Sequence, residues 1–495
     1  MSVALGIDVG TQSVKVVAYD AESRTCLDTA SSPLALHQTI DGVAEQNAKW
    51  WIDALKVALA SLNQSSREAI AAIGVSAQQH GFVPIDKNGI VLAPVKLWCD
   101  TSTGAECDEI MSSYGGIEAS IAEVGNPILP GYTASKIRWF RREYPELYAS
   151  MDCVLLPHDY VNYYLTGERC MEAGDASGTG FLDVRRREWS RAMLHAIDPE
   201  RDLGDCLPDV VKNNQAIGTI LPRVADELGL PVGIPVSIGG GDNMMGAIGT
   251  GNVTADIVTM SLGTSGTVFA HSDSPVVDAS GNIAGFCSST GGWLPLVCTM
   301  NCTVATELTR DLLNIELAAF ESQILGSEIG ARGLITVPFF NGERTPNLPS
   351  AKASVFGMDS NNMRPENFLR SAVEGTTFSL RFGLSELTRL GIRATEIVLT
   401  GGGAKSPCWR QMIADVCNTP VTVLKTEEGA ALGAALQALE MLDGVDIASL
   451  TADHLEKDVE GCCQPDAGSV QSYEEVYVKY RHAVTRVADY YEDKA

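Results

Sequence analysis

The fold turns on the stretch Val3-Ala4-Leu5-Gly6-Ile7-Asp8-Val9-Gly10-Thr11-Gln12-Ser13-Val14-Lys15-Val16-Val17-Ala18-Tyr19. Val3, Leu5 and Ile7 alternate with smaller residues, residues 8–13 interrupt, and an apolar run resumes at Val14. That pattern predicts strand, tight turn, strand. It recurs half a chain later, where Ile257–Leu262 runs into Gly263-Thr264-Ser265-Gly266 and Thr267-Val268-Phe269-Ala270 leaves it. Gly10-Thr11 and Gly263-Thr264 fall at equivalent points of the two hairpins. An internal duplication with one hairpin per domain explains this, although Gly-Thr turns are common enough to recur by chance.

Between the hairpins lies Ile238-Gly239-Gly240-Gly241-Asp242-Asn243. Three glycines let backbone pass close to other atoms and deliver one carboxylate. Asp242 reads as a catalytic base or as a cap on the segment Met244–Gly249, and its own residue type does not decide between them.

Composition bounds the alternatives. A chain of 495 residues is too long for one ordinary core and predicts two or three domains. Its 45% hydrophobic and 20% charged content is that of a soluble globular protein. Thirty-six Lys and Arg against 62 Asp and Glu give a formal charge of -26, which argues against a nucleic-acid partner. It does not argue against ATP, whose site needs local backbone amides, a cation or two and a metal. The 13 cysteines show no paired Cys-x-x-Cys sets and read as reduced, mostly buried thiols rather than zinc ligands. No signal peptide and no run of about 18 apolar residues is visible, so a cytoplasmic protein without a membrane partner is expected.

Trp50, Trp51, Leu55, Ala58, Leu59 and Leu62 have helical spacing, and a strand at Ile70–Val75 opens into Ser76-Ala77-Gln78-Gln79-His80-Gly81. Loops follow at Leu97–Asp100, Leu155–Tyr160 and Asp175–Thr179. In the second half Ile397–Thr400 leads to Gly401-Gly402-Gly403-Ala404-Lys405-Ser406-Pro407, with Ser406 suited as N-cap and Pro407 as first helical residue. Strand, glycine turn and helix N-terminus form a nucleotide-type site, a weak signal alone. Tyr473, Val476, Tyr477, Tyr480, Val484 and Val487 predict a packing helix. The alternation argues α/β layers.

Taken together, these stretches resemble the FGGY family of carbohydrate kinases, of the actin and hexokinase superfamily, and most nearly its xylulokinase branch. The resemblance runs from about Leu5 to Leu436. Its patches are the first hairpin, Gln78–Gly81, Gly131–Trp139, Gly239–Asn243, Ser261–Gly266, Gly342–Pro346, Val355–Gly375 and Gly401–Gln411. It implies two ribonuclease-H-like α/β domains, 1–246 for the sugar and 247–495 for the nucleotide, flanking a deep catalytic cleft. It implies transfer from ATP to a ketopentose, D-xylulose above others, giving D-xylulose 5-phosphate. Another ketopentose or a polyol is the nearest alternative, and a non-catalytic sensor or a chaperone-like ATPase the rival from other classes.

By the same resemblance Asp242 takes the proton of the attacking hydroxyl and Asp8 holds Mg²⁺. Thr11, Gln12 and Lys15 would meet the γ-phosphate, although Lys15 also reads as an exposed edge lysine. Gly263, Thr264 and Ser265 would hold the β- and γ-phosphates, and Gly402, Gly403 and Ser406 would approach adenosine. Gln79, His80, Trp98, Asp100 and Asn243 would join Asp242 around the sugar. Lys136 and Trp139 are expected as scaffold, and Glu343-Arg344 as an element that closes the cleft or steadies the nucleotide, or as an internal ion pair. Gln79, Cys99, Ser102 and His158 depart from the branch's pattern, so the sugar is less determined than the kinase activity. Oligomeric state is not legible, and a homodimer stays open.

Overall fold

The computed structural model describes residues 2–211, 214–426 and 428–492. It divides into two units. The first comprises Met1–Thr254, Ser272–Leu294 and Glu428–Leu455, and the second Ala255–His271, Pro295–Glu427 and Glu456–Ala495. Neither is one continuous stretch of chain.

In the first unit β1 (Val3–Val9) is antiparallel to β2 (Ser13–Asp20), which is antiparallel to β3 (Thr25–Pro33). On its other side β1 is parallel to β4 (Ile70–Ala77), and β4 is parallel to β5 (Pro235–Ser237). The order is 3-2-1-4-5. Leu5, Ile7, Val14 and Val16 pack with Trp51, Leu55 and Leu59 of the helix Ala48–Ser61, as the helical spacing predicts.

The opposite face of this sheet is shaped by absence of side chains. Gly6 and Gly74 are register partners in β1 and β4. A Cβ at Gly6 would lie 1.8 Å from the carbonyl of Ala431, and one at Gly74 2.0 Å from that of Ala434. The helix Gly429–Asp443 therefore lies with its backbone directly on the sheet. Close apposition of this kind increases dispersion contact, and no larger residue fits it.

The second unit repeats the plan. β6 (Ile257–Leu262) is antiparallel to β7 (Gly266–Ala270), which pairs antiparallel with β8 (Trp293–Thr299) through Leu296–Thr299. β6 is parallel to β9 (Glu396–Thr400), and β9 to β10 (Val421–Thr422). The order 8-7-6-9-10 matches 3-2-1-4-5 strand for strand and sense for sense. Both predicted hairpins exist and occupy the same place in their sheets. The first closes with residues 10–13 beyond the Val9–Val14 pair, the second with residues 263–265 beyond the Leu262–Gly266 pair.

Helices Pro365–Arg389, Pro407–Cys417 and Ala467–Glu492 pack in the second unit. Phe378 meets the rings of Tyr473, Tyr477 and Tyr480, which confirms the tail as a packing helix. All 13 cysteines carry free thiols and none is exposed. Among the described residues no helix is long and apolar enough to cross a membrane.

Candidate active site

Asp242 is placed by the sheet. Gly240 and Gly241 pair parallel with Ser76 and Ala77 at the end of β4, while β1 brings Asp8 opposite Ser76. Asp8, Ser76 and Gly240 thus lie on one line across three strands, and Asp242 is the second residue beyond it. Ligands of α/β sheets gather at such carboxyl ends. The turn needs glycine: Gly239 has φ 71°, and a Cβ there would stand 2.3 Å from the carbonyl of Val75.

The Gly239 peptide is held on both sides by the buried Gln437. Gly239 N–H donates to Gln437 Oε1 (2.8 Å), Gln437 Nε2 donates to Gly239 O (3.1 Å), and Ser237 Oγ also donates to Oε1 (3.0 Å). Asn162 Nδ2 donates to Ile238 O at 2.8 Å. Asp242 then opens the helix Asp242–Gly249, whose N-cap is Gly241, so the carboxylate is not the helix cap. Its Oδ1 accepts from Asn243 N (2.8 Å) and Asn243 Nδ2 (3.0 Å). Among the described residues no protein group donates to Oδ2. Burial first, then the charges of Asp8 and Asp175, push the Asp242 carboxyl up to about 7, against the two Asn243 bonds.

The sugar-side residues gather around this carboxylate in part. Asn243 Nδ2 also donates to Gln79 Oε1 at 2.8 Å, linking Gln79, Asn243 and Asp242. His80 is buried in a left-handed conformation, φ 61°. Its carbonyl accepts from Lys136 Nζ (2.8 Å) and Thr133 Oγ1 (3.1 Å), and its N–H donates to Asp175 Oδ1 (3.0 Å). Lys136 also donates to Gly131 O at 2.6 Å and is fully buried, which is a scaffold role.

Asp100 does not line a pocket. It is fully buried, and Oδ2 accepts from Ala44 N and Lys96 Nζ while Oδ1 accepts from Ser102 N and Oγ. With donors from Ala44, Lys96 and Ser102 filling both oxygens, this carboxylate has no lone pair left for a sugar. Trp98 stands instead at the first hairpin, its Nε1 donating to Thr11 Oγ1 at 3.0 Å.

Thr11 Oγ1 in turn donates to Gln78 Oε1 (3.0 Å), and Gln46 Nε2 donates to Thr11 O (2.8 Å). Gln78 Nε2 and Trp51 Nε1 both donate to Gln46 Oε1. The hairpin tip is thereby braced from within, and Gln12 stays exposed upon it. Lys15, expected at the γ-phosphate, pairs with Glu428 at 2.9 Å. It is not an edge lysine either, because β2 lies between β1 and β3.

Asp8 accepts from Ser76 Oγ at 2.8 Å. Burial, outweighing the Ser76 bond and the Lys15 charge, holds its carboxyl above the ordinary range, and a cation there would relieve that cost. Among the described residues no cluster of three or more His, Cys, Asp or Glu forms a metal cage. Mg²⁺ takes one or two carboxylates together with water and substrate phosphates, so a single strand-end Asp8 fits it.

In the second unit the carbonyls of Gly263 and Thr264 accept from Thr303 N (2.9 Å) and Cys302 N (3.0 Å), tying the turn to the helix Thr303–Leu312. Thr264 is exposed, while Gly263 and Ser265 are half-buried. Ser406 caps its helix as expected, accepting from Trp409 N at 3.1 Å, and its hydroxyl also bonds Glu321. Both bonds are local and use the hydroxyl's proton and one of its two lone pairs. Gly403 is a packing glycine, where a Cβ would lie 2.8 Å from Leu262 Cβ and 2.9 Å from the Trp409 ring, whereas Gly402 is open. Glu343 is buried and accepts from Met300 N, Arg344 N and Asn301 Nδ2, so it ties its own loop to the segment at Met300 and Asn301.

Three residues of the first unit carry more of the site than their sequence context suggested: Gln437, Asp175 and His158. Gln437 sits in an Ala- and Leu-rich helix about 200 residues from the turn it holds. Asp175 reads as one more loop residue, and His158 stands out only as a departure from a pattern.

Two family models match the chain: the N-terminal domain of the FGGY family of carbohydrate kinases over residues 3–249, and its C-terminal domain over residues 258–441. A xylulose kinase of Haemophilus influenzae is 43% identical over 483 residues, covering 96% of this chain and 98% of that one. A solved structure described as a xyloylose kinase from Brucella ovis superposes with a TM-score of 0.89 at 29% identity, covering 97% of this chain and 98% of its own. A gluconate kinase from Lactobacillus acidophilus superposes at 0.92 with 23% identity over the full length of both chains, a likeness of fold alone. The two matched sheets are accordingly the two α/β domains of the ribonuclease-H-like, actin and hexokinase type, and the chain belongs to the FGGY family of carbohydrate kinases.

Proposed function

We propose that this chain transfers the γ-phosphoryl group of ATP to the terminal hydroxyl of D-xylulose, forming D-xylulose 5-phosphate and ADP, with Asp242 as general base. One observation carries the reading. Asp242 stands at the carboxyl end of β4 with Oδ1 fixed by Asn243 and Oδ2 accepting no bond from a described protein group. Such a carboxylate can take the proton of a sugar hydroxyl as its oxygen attacks phosphorus. The new O–P bond forms, the bond to the β,γ-bridging oxygen breaks, and the proton rests on Asp242. The names of the relatives support the choice of sugar.

Asp8 would hold Mg²⁺, which when bound draws charge from the phosphate oxygens. Gly263, Thr264 and Ser265 would offer backbone N–H groups to the β- and γ-phosphates, and open Gly402 would pass beside adenosine. Gln79 would read the sugar next to the base, since Asn243 joins the two. Gln79 is also where the chain departs from the xylulokinase pattern. That favours, as a second reading, another ketopentose or a polyol.

A coupled ADP-release assay over D-xylulose, other ketopentoses, polyols and a no-sugar control separates these. D-Xylulose is expected to give the highest kcat/KM, and a higher value for another acceptor selects the second reading. Asp242→Asn is expected to bind ATP normally and to lose turnover by ~10²–10⁴-fold. Near-wild-type turnover in that variant would remove Asp242 from the base role.

A further inference from the structure

The helix Gly429–Asp443 meets the turn before Asp242 along one of its faces. Gly429, Gly433 and Gln437 are four residues apart and share that face. They follow the segment 239–249 in reverse chain order. A Cβ on Gly249 would lie 1.9 Å from the Gly429 carbonyl, a Cβ on Gly433 1.8 Å from the Met245 carbonyl, and Gln437 bonds Gly239. Two backbone contacts thus fix the helix Asp242–Gly249, and one side chain fixes the turn that leads into it.

Every residue from Ala431 to Leu439 is buried, and Gln437 is the only one of them with a polar side chain. A buried amide is costly unless it is bonded. Among the described residues the partners of Gln437 are Ser237 and Gly239. It takes both the N–H and the C=O of Gly239, as a residue of an antiparallel strand does with the one opposite. The exchange fixes which end of the amide is which, because the N–H needs the oxygen and the carbonyl needs the nitrogen. Before this point Asn162 holds the Ile238 carbonyl, and after it Gly240 and Gly241 make a two-residue ladder with β4. Three glycines in a row have wide backbone freedom, so a turn released at Gly239 can redirect the carboxylate three residues later.

We infer that Gln437 is the positioning residue of the base: its side-chain amide locks the left-handed Gly239 and thereby sets where the Asp242 carboxylate stands. Gln437 acts through the turn and not on the substrate. This deepens the proposed function and rests on its reading of Asp242 as the base. It also gives a task to the one polar side chain in an otherwise apolar stretch of helix. Misplacing a reacting group by about 1 Å costs up to ~10²-fold in rate, while contacts that bind the substrates elsewhere are untouched.

Steady-state kinetics of Gln437→Leu and Gln437→Glu, with sugar and ATP varied separately and rates taken from pH 5 to 9, test it. Gln437→Leu keeps the bulk and removes both bonds to Gly239. Its kcat is expected to fall roughly 10–10²-fold, with the KM for sugar and for ATP moving less than about twofold. Gln437→Glu carries its own control. As a neutral acid it accepts from Gly239 N–H through one oxygen and donates to Gly239 O through the other; as a carboxylate it sets a lone pair against that carbonyl. Its kcat should match wild type at pH 5 and fall away from it as pH rises. Asp242 titrates in both proteins, and Ser237 and Gly239 in neither, so the ratio of the two rates reports residue 437. A glutamine with a merely structural task would lower Tm and leave the kcat of the folded protein unmoved. Wild-type kcat in Gln437→Leu, a larger change in KM than in kcat, or a glutamate variant as slow as the leucine one at pH 5 overturns the inference. Should neither variant fold, hydrogen exchange of the wild-type chain decides: the Gly239 amide is expected to exchange as slowly as the amides of β4, and fast exchange overturns the lock. Wild-type protein inactive on every sugar, or wild-type turnover in Asp242→Asn, would refute the proposed function instead, and the exchange of Gly239 would still report whether Gln437 holds the turn.

Discussion

Asp242 is a residue that the folded chain holds at some cost. Its carboxyl is raised to about 7 by burial and by Asp8 and Asp175, so the folded state binds that proton more tightly than the unfolded chain does. The stability associated with it is present below the ordinary carboxylate range and is lost as pH rises through about 7. Asp242→Asn cannot ionise and escapes that loss. Its Tm in Mg²⁺-free buffer should therefore exceed the wild-type value by more at pH 8 than at pH 5, a scan that calorimetry can make directly. Equal differences at both pH values would mean that the carboxyl is not raised. The Gly239–Asp242 turn was legible because three glycines and an aspartate stand together, but base and cap could not be told apart within that stretch, and the base role came from the resemblance of many stretches taken together. Asp100 misled for the opposite reason. Its saturating partners are Ala44, Lys96 and Ser102, and the first of these, 56 residues away, cannot be foreseen from the loop Leu97–Asp100. Spacing tells which residues share a loop, and only packing tells which of their atoms are still open.

At the scale of elements, the helix that begins at Asp242 is positioned by contact without side chains. A Cβ at Gly433 would lie 1.8 Å from the carbonyl of Met245, and one at Gly249 1.9 Å from that of Gly429. The helices Asp242–Gly249 and Gly429–Asp443 thus touch backbone to backbone, as the latter also does on β1 and β4. Gly433→Ala should force them apart, costing roughly 1–3 kcal/mol in urea unfolding and lowering kcat as Asp242 moves with its helix. Gly246→Ala is the control: a Cβ there meets nothing within 4 Å, so the helix should be stabilised by up to about 1 kcal/mol. A Gly433 variant as stable as wild type would show that the contact yields without strain. The two hairpins were readable at this scale because alternation of apolar residues is a local, period-two signal. The helix Gly429–Asp443 was not read from the sequence, either as a helix or as a neighbour of β1, because small residues in a row give a weak amphipathic pattern and do not name the partner they pack on.

At the scale of the molecule, the two sheets share one strand order, so the duplication seen in two hairpins extends to five strands apiece. The sequence placed a boundary near residue 246, whereas the first unit also takes in Ser272–Leu294 and Glu428–Leu455. A fragment of residues 1–254 should consequently melt without cooperativity and bind a hydrophobic dye. Joining residues 272–294 and 428–455 to it through flexible linkers should restore a sharp transition by circular dichroism. A cooperative melt from the short fragment would show that the late helix is dispensable. The helix lying bare-backed on Gly6 and Gly74 bears also on how the protein is made. The ribosome releases β1 about 420 residues before residues 429–443, an interval of roughly 20–85 seconds at ~5–20 residues per second. For all of that time the nascent first domain shows an uncovered glycine-lined sheet face to the cell. Moving that helix earlier by circular permutation is expected to shorten this exposure.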